Sequence, residues 1–232
     1  MSVVSETVEW LTDGANWTGG GGVPSRVVEH LGYTGLTVAV AAAVAVPLGL
    51  YIGHTGRLRS LAIGVTGALR ALPTLGVLTW FTLLVGIGLT APILALVLLA
   101  VPPLLAGVYS GVESVDRATV DAARAQGMTE TQILRKVELP LAMPLIIGGF
   151  RNTTLQVVAT ATVAAYVSLG GLGRYIFDGQ AVRDYPQMVG GSLVVVVLAL
   201  LLDGAFALAQ AAAARAARPG TARPSNRAAS AA

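Results

Sequence analysis

Asp121-Ala122-Ala123-Arg124-Ala125-Gln126-Gly127, followed nine residues later by Val137-Glu138-Leu139-Pro140, is the stretch whose reading decides the fold. It is a charged interlude in a greasy chain, and it reads as two short helices joined by a turn. Residues 121–126 are good helix formers, and an acidic residue at 121 suits a first helical turn. Gly127 can adopt the left-handed geometry that ends a helix. Thr129 caps the next helix, with Gln132 three residues on completing a capping box. That helix, expected over 130–137, places Ile133, Leu134 and Val137 on one side and Arg135 and Lys136 on the other. Leu139-Pro140 is expected to stop it, and an apolar run begins at once.

The sequence on both sides of this interlude is that of an integral membrane protein. Of 232 residues, 54% are hydrophobic and 12% charged, where a soluble domain has about 25% charged. The net charge of +3 comes almost wholly from arginine. It reads as membrane topology, not as a nucleic-acid footprint. With no cysteine, disulfides and cysteine-type zinc sites are excluded. The single lysine, Lys136, follows Arg135, so no phosphate-binding Gly-Lys-Ser/Thr loop exists. His30 and His54 are far apart and lack a metal-ligand pattern, and both are expected at an interface. Without a hydrolase elbow or paired acids, the chain reads as a transport component: not an enzyme, with no catalytic residue, metal or cofactor of its own.

Five spans are expected, at about 31–53, 61–88, 91–111, 140–167 and 188–212, each near or above the ~20 residues that cross hydrocarbon. Pro73 is expected to kink the second. Residues 112–139 form the charged loop. Residues 1–30 are an acidic, extracytoplasmic segment with a short surface helix over 5–11 and with Trp10 and Trp17 at headgroup level. This segment lacks the basic start of a cleavable signal, so the first span is expected to direct insertion. Residues 213–232 read as a disordered basic tail. Arg57 and Arg59, the charged loop and the tail are the basic-rich connections and alternate correctly for one side. The positive-inside rule then puts the N-terminus outside and the C-terminus in the cytoplasm.

The fourth span is polar for its place. Asn152, Gln156 and Thr160 recur every four residues and share one helical face, which either lines a route across the membrane or hydrogen-bonds to neighbouring helices. Arg70, Arg151 and Asp203 are charges within apolar runs. At ~1.5 Å per residue, Arg151 lies about 16 Å beyond Pro140 and Asp203 about 18 Å before Arg215. Spans four and five run antiparallel, so an Arg151–Asp203 ion pair is expected, with Arg70 as the rival partner.

The loop resembles the EAA loop of ABC importer permeases, which runs Glu-Ala-Ala, three residues, Gly, nine residues, Ile, one residue, Leu-Pro. Asp121 stands for the Glu and Val137 for the Ile; Ala122, Ala123, Gly127, Leu139 and Pro140 match. The stretches Asp13-Gly14-Ala15-Asn16-Trp17, Arg70-Ala71-Leu72-Pro73-Thr74 and Gly170-Gly171-Leu172-Gly173-Arg174-Tyr175-Ile176 are similar to permeases of osmoprotectant importers, which handle glycine betaine, carnitine, choline or proline betaine. The resemblance implies an all-α integral protein of the bacterial cytoplasmic membrane, with about five transmembrane helices in the type I ABC importer arrangement. The seven matched loop residues would dock on an ATPase subunit, the coupling helix of this family. It also implies two ATPase subunits that carry the ATP, a second permease subunit, identical or homologous, and an extracytoplasmic substrate-binding protein. The alternatives are an amino-acid or methionine importer permease and, from another class, an ion-coupled secondary carrier.

Overall fold

Capping chemistry and prolines set most of the helix boundaries. The computed structural model describes residues 2–167 and 169–217, and among these the regular structure is all helix. Helix α1 (Val3–Thr12) is capped by the Ser2 hydroxyl, which accepts from the Ser5 N–H at 3.3 Å. A 3₁₀ turn (Gly14–Trp17) follows, capped by Asp13. Helix α2 (Val23–Thr55) starts behind the glycine run, with proline in its first turn, and at 33 residues is about 50 Å long. It begins well before the expected 31. Hydropathy marks only the part of a helix that sits in hydrocarbon, and the stretch 25–30, with Ser25, Arg26, Glu29 and His30, continues the same rod. Of the expected disordered tail, residues 213–217 instead continue helix α10, and residues 218–232 lie outside the described residues, as does Ser168.

The expected second span is two helices, α3 (Arg59–Arg70) and α4 (Thr74–Val85), which meet at 88°. A kink within one span is the expectation from Pro73. Its ring instead disfavours helical geometry at Leu72, and the chain turns a corner. The remaining elements are α5 (Thr90–Glu113), α6 (Arg117–Ala125), α7 (Glu130–Ile133), a π-helical turn (Leu134–Glu138), α8 (Leu139–Ala164), a 3₁₀ turn (Ala165–Val167), α9 (Gly173–Val182) and α10 (Tyr185–Ala217). Three of these, α2, α5 and α10, are long and apolar enough to cross a membrane; the bent α3–α4 pair counts as a fourth if taken as one span. This differs from the five expected. Helix α8 has the length, at 26 residues, but Arg151, Asn152, Thr153, Thr154 and Gln156 make it too polar to register by composition.

Helix α5 packs against both α2 and α8, which also touch each other, and α10 packs against α8. Small residues set these approaches. A Cβ on Gly107 would sit 2.5 Å from the Gly149 Cα, and one on Gly49 would sit 2.7 Å from the Val108 side chain. Both contacts need glycine. The core formed there, with Ala45, Leu104, Val108 and Ile146, extends without a break to Val120, Ala123 and Ile133 of the charged loop. The loop is therefore packed onto the end of the bundle.

Candidate functional site

The loop is built from local hydrogen bonds. Asp116 caps α6, its carboxylate accepting from the Ala118 N–H at 3.1 Å. The helix thus starts ahead of Asp121, which lies in the second turn, not the first. Past its end Gly127 has φ +80°. The Gly127 N–H donates to the Arg124 carbonyl at 3.0 Å and the Met128 N–H to the Ala123 carbonyl at 3.3 Å, a Schellman closure that satisfies the orphan carbonyls. The capping box is complete: the Gln132 N–H donates to the Thr129 hydroxyl at 3.4 Å, and the Thr129 N–H to Gln132 Oε1 at 2.9 Å.

The expected stop at Leu139-Pro140 does not occur. Helix α7 runs through the π-turn into α8 with no break. Pro140 follows the π-turn directly, as the second residue of α8. The wider turn takes up the register change that a proline would otherwise impose as a kink. It also rolls Glu138 inward, to 5% exposure.

Of the seven matched loop residues, Asp121, Ala122, Gly127 and Pro140 are exposed, Val137 and Leu139 half-buried, and Ala123 buried in the core. Ala118, Thr119, Ala122, Gln126, Met128 and Val137 line an open, mainly apolar groove of about 500 Å³. Above it the two loop helices are clasped by Arg124, which donates to both Glu130 oxygens at 2.8 and 3.0 Å and to Asp121 at 2.9 Å. The guanidinium of Arg124 holds the Glu130 carboxyl below the usual carboxylate range. Glu130 and buried Glu138 both face His54 at the end of α2, at 3.3 Å from Nε2 and 2.5 Å from Nδ1.

At the other end of α2, Glu29 Oε2 accepts from the Gly171 N–H at 2.9 Å. His30 is wholly buried and not at an interface. Its Nε2–H donates to the Val158 carbonyl at 3.1 Å, and Nδ1 accepts from the Leu172 N–H at 3.4 Å. The Tyr175 hydroxyl donates to the Gly21 carbonyl at 2.7 Å, and its ring meets Trp10 edge-on at 5.2 Å.

In the spans, Arg151 grips Asp203 through two bonds of 2.6 and 2.7 Å, each side chain about a third exposed. Arg70 is exposed at the α3–α4 corner. Along α8, Asn152 is exposed and Gln156 and Thr160 half-buried. Gln156 donates to the Leu99 carbonyl at 3.3 Å, and Thr160 to the Gln156 carbonyl at 2.7 Å. Gln156 thus ties α8 to α5, while Thr160 bonds back to the carbonyl one turn earlier in its own helix. Sequence reasoning missed His54, Glu138, Arg124 and Glu130 as a connected set. The only signal was their charge, which reads as a solvated face until the π-turn is known.

A helical membrane bundle with a packed, charged loop at one end is the class this geometry defines. The family described as binding-protein-dependent transport system inner membrane component matches residues 45–218. The choline transport system permease protein OpuBB of Bacillus subtilis is 34% identical, covering 83% of this chain and 89% of that protein. The glycine betaine/carnitine/choline transport system permease protein OpuCB of the same organism is 33% identical over 83% and 89%. A solved inward-facing structure of the MetNI methionine ABC transporter aligns with TM-score 0.70 at 26% identity, covering 80% of this chain and 93% of that one. The chain belongs to the family of inner-membrane permease components of binding-protein-dependent ABC importers. It is a transport component of the inner membrane, not an enzyme, and its family works with ATPase and substrate-binding partners.

Proposed function

We propose that this chain forms half of the translocation pathway of an importer for quaternary-ammonium osmoprotectants such as choline, glycine betaine or carnitine. The similarity to permeases named for those solutes, over more than four-fifths of the chain, carries this reading. In the complex, two ATPase subunits bind and hydrolyse the ATP, and a second permease subunit, identical or homologous, completes the pathway. The groove beside Ala122 and Val137, with Asp121, Ala123, Gly127, Leu139 and Pro140 around it, docks on one ATPase. Its apolar lining and its position beyond the end of the bundle support that use.

Asn152, with Gln156 and Thr160 along the same helical face, lines the route beside the second permease, while the Gln156 amide also ties α8 to α5. An exposed asparagine in mid-span is costly against lipid, so that face meets protein or water. Arg151–Asp203 pins α8 to α10. Helix α1 and the segment before 31 lie outside, and the loop and the tail from 213 lie in the cytoplasm, as the arginine bias requires. The test is ATP-dependent uptake by this chain reconstituted with its ATPase, companion permease and binding protein. Labelled choline, glycine betaine or carnitine should enter, and methionine should not. Methionine uptake alone would favour the amino-acid reading. Gradient-driven uptake by this chain without an ATPase would overturn the importer reading altogether.

A further inference from the structure

The two ends of α2 are held by polar grips that nothing in the transport reading uses. At the loop end the helix reaches the charged loop in its last turn, through Ile52, Gly53 and His54. The His54 ring stands between two carboxylates, 2.5 Å from Glu138 and 3.3 Å from Glu130. The Glu138 contact is a hydrogen bond, and the Glu130 carboxylate stands beside the other ring nitrogen. Glu113, Arg117, Asp121 and Arg124 line the same small cavity of about 50 Å³, and Arg124 ties Glu130 on to α6. A shift of the loop helices would therefore move both carboxylates against the His54 ring. Glu138 makes its contact from a π-turn, an element that recurs where helices carry function.

At the opposite end the same helix holds the segment between α8 and α9. Glu29 takes the Gly171 N–H, His30 takes the Leu172 N–H, and Gly171 has φ +80°. A Cβ on Gly171 would come within 3.0 Å of the His30 ring, so the loop lies flat on α2. Between Glu29 and His54 the helix is continuous through an internal proline, Pro47, and spans about 37 Å. It packs against α5 and α8, with Gly49 and Gly53 seated closely on Val108 and Val112 of α5.

We propose that α2 is the rod that carries coupling-loop motion across the bundle, with His54 as the positioning residue that grips the loop and Glu29 with His30 as the grip on the far-side 170–172 loop. This rests on the reading that the charged loop docks on the ATPase, and the experiment separates the two. The chain has no native cysteine, so Gln126→Cys places a single cross-linking site beside the groove. Cross-linking to the ATPase and the ATP hydrolysed per solute imported are then measured on the same reconstituted complex. His54→Leu and Glu29→Leu should each keep the cross-link yet raise ATP consumed per solute by about tenfold, within the usual range of a site-to-site coupling. Glu29→Gln, which keeps an acceptor for the Gly171 N–H, should stay within about twofold of the parent. If His54→Leu does not assemble, His54→Gln, which keeps one donor, should still raise the ratio about threefold. A cross-link in the parent with unchanged ratios in the His54 and Glu29→Leu variants overturns the rod. Loss of the cross-link in the His54 variants overturns it too, since His54 would then only hold the loop together. A parent complex with no cross-link overturns the docking reading and this inference with it.

Discussion

Arg151–Asp203 and Arg124–Glu130 are the same chemistry in opposite surroundings. Each is a guanidinium fork on a carboxylate, with bonds of 2.6 to 3.0 Å. The first joins α8 to α10 in the span region; the second joins α6 to α7 across an exposed turn. In the loop, water can replace either partner, so the pair orients more than it stabilises. In hydrocarbon nothing replaces a lost partner, and the remaining charge is stranded. The difference teaches where charge is structural in this chain and where it tunes a moving part.

The sharpest way to break the comparison is to reverse one charge of each pair. Arg151→Asp or Asp203→Arg should lower the yield of folded, membrane-inserted protein by more than about tenfold, and the double swap should restore most of it. Gel filtration of detergent-solubilised protein reads this. If single reversals are tolerated as well as Arg124→Ala is, the two pairs are not different in kind. Next in size is the turn that the exposed pair spans. Gly127→Val forces a β-branched residue into φ +80°, at about 1–3 kcal/mol. It should lower the thermal midpoint and uncouple ATP hydrolysis from uptake, whereas Gly64→Ala, in open space on α3, should do neither.

The smallest effect is the pH response of the loop pair. Glu130 is held below the usual carboxylate range, first by its hydrogen bond from Arg124. Its contribution is therefore fully present above the ordinary carboxylate value and is lost as pH falls through the depressed one. Glu130→Gln should flatten the acid limb of the stability–pH curve slightly and reduce its salt sensitivity. An unchanged acid limb would mean that Arg124 does not clasp α7 in solution.

The loop was legible because its signals are local. Gly127, Thr129 and Gln132 act on backbone groups within a few residues, and each closes the bond that its chemistry implies. Two local readings went differently. Pro140 did not end its helix, because a π-turn absorbed it, and Asp121 was outrun by the better-placed cap at Asp116. The 61–88 stretch shows the limit of hydropathy, which reports how apolar a segment is and not whether it runs straight. In α8 the same polarity that drew attention to Asn152, Gln156 and Thr160 hides the helix from a composition test. Arg151 and Asp203 could be matched by counting rise along antiparallel rods, since depth in a membrane is a coordinate that sequence carries.

Taken alone, the sequence determined the membrane class and the loop with its turn, because burial of apolar runs and the closing of nearby hydrogen bonds are properties of short segments. Only the tertiary structure decided the corner at Pro73, the inward roll of Glu138 and the meeting of His54 with two carboxylates from a loop that lies far along the chain. Those depend on how rods pack side by side, and packing is set where distant residues touch: at Gly107 on Gly149, at Gly49 on Val108, and at His54 on Glu138.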